Sequence, residues 1–367
     1  MQSKNKWIGP AVILPVIPIC IFLLALVPAP ELPSHQTPKF QGFSWEATDS
    51  IDHEHIQSVL PYHVDWIAQT PFGWQAKIDD PKLLYGSDEG YWGERDHGLI
   101  HTTTVARKAG VQTMLKPHIW MGRNSGGWRS DIEMQNEADW EIWFDNYEKF
   151  ILHYARLAEA QQMPIFCIGT ELYKCTNQRE ADWRELIAKI REVYSGELTY
   201  AANFYKEYEA IQFWDALDYI GVQGYFPLTR KEDPSLADLK KGWRPHYKSL
   251  KQFAQRWDRP VIFTELGYRS MRNAAIEPWA WPNRMEFEDN DVSAEVQARC
   301  YEAFFNVFWE EDWVAGVFFW KWSRRNYKPE AYATRQNRRR RRDISPIDFS
   351  PKALALAVVQ EWFSESD

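Results

Sequence analysis

The sequence predicts a (β/α)₈ barrel. Three observations point there: short apolar runs recur eight times, amphipathic helical stretches lie between them, and no linker-like break interrupts the chain from Lys39 to Phe363. Alternation of strand and helix implies a parallel sheet. Eight repeats are the number that closes such a sheet into a barrel, typically about 250 residues plus insertions.

Taken in order, the first run is Gly42 to Trp45. Ser50 and Asp52 then read as helix-start residues, with Ile56, Val59 and Leu60 continuing one helical face. Val64 to Gln69 is the second run. A helix over Asp96 to Ala109 stops at Gly110, placed just before the third run, Thr113 to Lys116. The clearest helix follows. Trp140, Trp143, Phe144, Tyr147, Phe150, Ile151, Tyr154 and Leu157 recur at steps of three and four and share one face. Ile165 to Thr170 is the fourth strand, and Leu198 to Asn203, Tyr219 to Gln223, Val261 to Thr264 and Gly316 to Trp320 complete the eight.

Composition narrows the function. A net charge of −8 argues against a nucleic-acid binder. The 45% hydrophobic content supports a sizeable core. Aromatic residues make up 16% of the chain, with 20 Trp, more than such a core needs, and surplus flat amphipathic rings suit a face that stacks on sugars. Four cysteines, Cys20, Cys167, Cys175 and Cys300, fit neither a disulfide framework nor a zinc site. No cofactor or metal is expected.

The chain divides into residues 1–27, 28–38 and 39–367. Lys4 and Lys6 precede Trp7 to Val27, a stretch without a charge and long enough to cross the roughly 30 Å hydrocarbon core. Val27-Pro28-Ala29 is followed by Pro30, poor after a scissile bond, so the segment reads as an uncleaved anchor rather than a signal peptide. Bulky Ile19 before Cys20 argues against a lipoprotein. The two lysines then lie in the cytoplasm and the barrel outside it, periplasmic or extracellular. Pro28 to Pro38 reads as a short stiff tether.

In this fold the site lies at the C-terminal ends of the strands. The fourth strand runs into Glu171 and the seventh into Glu265, each within Thr-Glu-Leu. One such carboxylate could simply cap a helix or pair with an arginine. Two at matching positions, three strands apart, face each other across one pocket, which is the requirement of glycoside hydrolysis: one carboxylic acid protonates the leaving oxygen while the other carboxylate attacks, about 5 to 5.5 Å away in a retaining enzyme. Aromatics ring the same mouth: Phe72, Trp74, Trp120, Tyr225, Trp279, Trp281, Trp320 and Trp322. Lys116, His118, Asn203 and Gln223 also project from strand ends. Lys116 and His118 read either as hydrogen-bonders to sugar hydroxyl or carboxylate, or as a structural ion pair; Asn203 and Gln223 read equally as turn and packing residues.

Gly169-Thr170-Glu171-Leu172, Thr264-Glu265-Leu266-Gly267-Tyr268, Met114-Leu115-Lys116-Pro117-His118 with Trp128-Arg129, Thr70-Pro71-Phe72-Gly73-Trp74 and Phe319-Trp320-Lys321-Trp322 together resemble glycoside hydrolase family 113. That family belongs to clan A and includes retaining β-1,4-mannanases. The resemblance implies Glu171 as general acid/base, Glu265 as nucleophile and Tyr225 as the hydroxyl that bonds the nucleophile. It departs from the wider clan at Thr170, where most members carry Asn, and from the family at Ile119-Trp120, where a segment usually brings in an acidic residue; both bear on sugar specificity. Glu265 is then expected ionised, and Glu171 protonated by the nearby charge and partial desolvation. The expected substrate is a β-linked polysaccharide or oligosaccharide, mannan first, with glucan, xylan or an inactive glycan-binding barrel as alternatives.

Two signals are set aside. In His53-Glu54-His55 the helical reading points the two imidazoles about 200° apart, which does not make a metal site. Arg338 to Arg342 reads as a solvated loop.

Overall fold

The computed structural model describes residues 38–86, 90–280, 291–323, 326 and 348–364. Trp7 to Val27, most of the tether, Cys20, Trp281 and Arg338 to Arg342 lie outside them. In chain order the elements are β1 (Phe40–Trp45), α1 (His53–Gln57), β2 (Trp66–Gln69), β3 (Phe72–Gln75), α2 (Asp96–Lys108), β4 (Gln112–Leu115), β5 (His118–Met121), α3 (Glu137–Ala160), β6 (Ile165–Thr170) and α4 (Tyr173–Gln178). There follow α5 (Glu180–Val193), β7 (Glu197–Ala202), α6 (Glu207–Ala210), β8 (Ile220–Gln223), α7 (Leu236–Trp257), β9 (Val261–Leu266), α8 (Ala294–Phe308), β10 (Val314–Trp322) and α9 (Ala353–Ser364).

Eight strands close a barrel in the order β1-β10-β9-β8-β7-β6-β4-β2. All pairings are parallel, and β2 returns to β1 with Gly42 opposite Trp66. Each barrel strand overlaps an apolar run read from sequence. The lumen is plugged at one level by Ala68, Met114, Ile165, Ile262 and Phe318, one from each of five strands, together with Tyr219 just before β8. Phe40 reaches across to Tyr219 at 5.5 Å and Phe318 at 6.3 Å. Space there is tight: a Cβ at Gly42 would stand 2.4 Å from the Phe318 ring. The larger core fills the shell between strands and helices, where α3 buries the expected face, Trp140 through Leu157.

Helix ends follow local chemistry. Asn136 caps α3 by accepting from the Asp139 N–H at 3.0 Å. Gly110, at φ 81°, ends the turn after α2. Asp52 caps α1, and His55 Nδ1 accepts from the Asp52 N–H at 3.0 Å, so this histidine completes a capping box.

Two features differ from the sequence reading. Residues after the second and third barrel strands form a separate two-stranded parallel sheet, β3 beside β5, with Phe72 opposite His118 and Trp74 opposite Trp120. Pro71 and Pro117 explain the break. Neither has an N–H to continue the barrel ladder, so both chains leave it at the same height and pair with each other. Trp322 is also core rather than rim: it is buried against Phe43 and Tyr62, with Nε1 donating to Ser58 Oγ at 3.0 Å. Cys167, Cys175 and Cys300 are free and buried. Among the described residues no helix is long and apolar enough to cross a membrane.

Candidate active site

Glu171 leaves β6 at φ 54°, a left-handed conformation that costs a non-glycine residue about 1 to 3 kcal/mol. Two hydrogen bonds hold it there. Its own N–H donates to Ala201 O at 3.0 Å, and the next N–H, that of Leu172, donates to the Tyr200 hydroxyl at 2.6 Å. The turn aims the carboxyl into the mouth of the barrel. There Oε2 accepts from Trp128 Nε1 at 3.1 Å and from Arg129 Nε at 3.0 Å, with Arg129 Nη2 also at 3.0 Å. Among the described residues Oε1 accepts only Asn203 Nδ2, at 3.1 Å. A proton on this carboxyl therefore belongs on Oε1, because Oε2 already faces three N–H donors.

Glu265 lies in β9, three strand spacings from β6. Lys116 Nζ donates to its Oε1 at 2.6 Å and to Thr264 O at 3.0 Å. The Tyr225 hydroxyl donates to Oε2 at 2.9 Å. Lys116 is fully buried, so its charge is balanced by Glu265 and not by water. Burial, and then the Glu265 carboxylate, push the Tyr225 phenol well above 10, so Tyr225 remains a proton donor.

His118 joins the two halves. Its Nδ1 faces Arg129 Nη1 at 3.3 Å, and its Nε2 stands 3.7 Å from Glu265 Oε1. Burial, with Arg129 and Lys116 adding to it, holds the imidazole well below 6.5. The ring is neutral, and because Nδ1 must accept from a guanidinium, the proton sits on Nε2.

The aromatic residues fall into two groups. Trp128 meets Trp120 edge-on at 6.1 Å, Trp120 meets Phe72 at 5.7 Å, and Trp74 stands beside Trp120 across the β3–β5 pair. Trp74, Trp120 and Trp128 are 42%, 52% and 40% exposed, which in rings of this size leaves faces open to a ligand. They lead from Glu171 towards a cavity of about 1130 Å³ lined by Phe72, Trp74, Tyr91, Asp96, Trp120 and His153. Among the described residues neither carboxylate lines this cavity, which connects to their surroundings through Phe72, edge-on to His118 at 5.5 Å, and through Trp120. Trp279 is exposed and stacks at 5.2 Å on Phe204, the residue after Asn203. Trp320, half-buried, stacks on His118 at 6.4 Å with Lys116 Nζ 5.6 Å from its ring centre.

The structure thus brings Glu171, Glu265, Tyr225, Lys116, His118 and Trp320 to one centre and sets Trp74, Trp120 and Trp279 on its rim. Asn203, left open by sequence, bonds Glu171. Gln223 is buried with neither amide atom hydrogen-bonded among the described residues. Arg129 contacts both Glu171 and His118; in sequence it enters only with Trp128 in the family resemblance, with no role of its own. Among the described residues no group of three His, Cys, Asp or Glu is arranged to hold a metal.

A family model described as Glycoside Hydrolase Family 113 matches residues 41–339. No curated protein matches the chain. Among solved structures, the family 113 β-mannanase of Alicyclobacillus acidocaldarius, complexed with ManMIm, superposes with a TM-score of 0.73 at 25% identity, covering 91% of this chain and 100% of that one. A family 113 β-1,4-mannanase gives a TM-score of 0.70 at 22% identity, with coverage of 89% and 99%. A β-glucuronidase from Ruminococcus gnavus shares the fold at 15% identity and a TM-score of 0.59, over 89% of this chain and 50% of its own.

Proposed function

The chain belongs to glycoside hydrolase family 113 and is a glycoside hydrolase, and from that premise we propose that it cleaves β-1,4-linked mannan by double displacement with retention of configuration. The observation that carries this reading is the placement of two carboxyls at matching strand ends, three strand spacings apart: Glu265 takes a buried ammonium and a phenol, while Glu171 takes Arg129 and Trp128 on one oxygen and the Asn203 amide on the other.

In the first step the Glu265 carboxylate attacks the anomeric carbon. The glycosidic C–O bond breaks, and Glu171 gives its proton to the departing oxygen. In the second step Glu171 takes a proton from water, the water oxygen attacks the same carbon, and the bond to Glu265 breaks. Lys116 and Tyr225 hold the nucleophile oriented before attack, and release it as it becomes an ester. Trp320 and His118 bound the sugar at the point of cleavage, and Trp74, Trp120 and Trp279 carry sugars further along the chain. The charge-free stretch Trp7 to Val27 supports a barrel anchored to a membrane and working outside the cytoplasm.

The test is covalent trapping together with product analysis. A 2-fluoromannoside is expected to label Glu265 and Glu265→Ala to abolish turnover while the protein stays folded, with mannan degraded in preference to β-glucan and xylan. A label on another carboxylate would sink the mechanism; preference for another polysaccharide would change the sugar only.

A further inference from the structure

Glu207, the first residue of α6, is fully buried and, among the described residues, hydrogen-bonds neither Glu171 nor Glu265. Its carboxyl collects donors. Tyr200 O–H reaches Oε1 at 2.6 Å, the Asn203 N–H reaches Oε2 at 2.7 Å, and Thr176 Oγ1 lies 3.3 Å from Oε1. Two of these three partners run on to Glu171. The Tyr200 oxygen accepts the Leu172 N–H at 2.6 Å, the peptide that follows the left-handed Glu171. Asn203 presents Nδ2 to Glu171 Oε1 at 3.1 Å, and its Oδ1 accepts the Tyr205 N–H at 2.9 Å, which fixes which end of the amide faces the carboxyl.

We infer that Glu207 is a positioning residue for general acid/base catalysis, setting the direction of the Glu171 carboxyl through Tyr200 on one side and Asn203 on the other. One arm fixes the backbone from which Glu171 projects, and the other fixes the donor at the oxygen that carries its proton. Burial drives the Glu207 carboxyl up to about 8, against the hydrogen bonds from Tyr200 and Asn203. The protein thus keeps an acidic group where burial disfavours its charge, beneath the turn that holds Glu171. The inference rests on the reading of Glu171 as acid/base.

The decisive variant is Glu207→Gln. An amide keeps the shape but replaces one oxygen by an NH2 that cannot accept a hydrogen bond, and this group then faces the Tyr200 hydroxyl or the Asn203 N–H. A group displaced by a fraction of an ångström loses proton transfer before it loses binding. On a mannooligosaccharide, whose leaving group must be protonated, kcat should fall about 10- to 100-fold with KM unchanged within about twofold. On a dinitrophenyl β-mannoside, whose leaving group needs no proton, the burst of dinitrophenol should keep its rate within about threefold while later turnover slows. Tyr200→Phe cuts the same arm without removing the carboxyl and should give the same split. Equal losses on both substrates, unchanged kinetics, or failure of both variants to fold would overturn the inference. Glu171→Ala with azide serves as the control. If azide restores turnover of the dinitrophenyl substrate as a β-glycosyl azide but Glu207→Gln shows no split, only the role of Glu207 falls. If azide gives no rescue, the reading of Glu171 falls with it.

Discussion

His118 shows how a single residue ties the site to pH. Its imidazole is held neutral by burial and by the cations on either side, so protonation in the folded protein begins well below 6.5. The unfolded chain takes up that proton near 6.5. Stability contributed by the neutral ring is therefore complete above 6.5 and is lost as the pH falls, by about 1.4 kcal/mol for each unit over which only the unfolded state is protonated. His118→Gln should flatten the fall in melting temperature between pH 6.5 and pH 5; parallel curves for the two proteins would refute this. The residues at the centre were unevenly legible in sequence. Glu171 and Glu265 stand out because each ends an apolar strand in the same tripeptide. Arg129 enters the sequence reading only beside Trp128 in the family resemblance, and Lys206-Glu207-Tyr208-Glu209 carries three charges in four residues, so nothing local betrays that Glu207 is buried. Only the tertiary packing of α6 against α4 and β8 makes it so.

At the level of elements, the barrel strands were readable because each is a run of apolar residues buried on both faces. The β3–β5 sheet was not. Four-residue segments that alternate aromatic and small or aliphatic residues carry too little pattern to be told from a rim loop, and the Pro71 and Pro117 breaks that precede them bring together two segments far apart in the chain. The sheet matters because its register puts Trp74 and Trp120 side by side beyond the carboxylates. If these rings bind sugars remote from the cleaved bond, Trp74→Ala and Trp120→Ala should each raise KM about 3- to 10-fold for a hexasaccharide, about the worth of one stacking contact. A disaccharide or trisaccharide should change by less than about twofold. KM measured against chain length checks this, and an effect independent of length would place the two rings outside the substrate path.

For the molecule as a whole, both ends of the described barrel are tied down. Gln41 in β1 donates to Phe363 O in α9 at 3.2 Å, and Phe305 of α8 stacks on Trp362 at 5.5 Å. If Trp7 to Val27 is an uncleaved anchor, the full-length protein should remain with membranes through a carbonate wash, its barrel open to protease from outside the cytoplasm; a soluble form beginning near Pro30 would rule the anchor out. The entry point of β1 then decides which way the enzyme looks. Lys39 bonds Glu311 O and Val314 O, at the start of β10, at 2.9 and 2.6 Å. In an all-parallel barrel that is the face opposite Glu171 and Glu265. Whatever precedes Lys39 departs from the floor, and strands of six residues put the mouth about 20 Å beyond it. Residues 28–38 reach at most about 40 Å however they are arranged. An anchored barrel would thus hold its mouth away from the lipid and within about 60 Å of it, working a thin layer above the membrane on glycan that arrives from the far side.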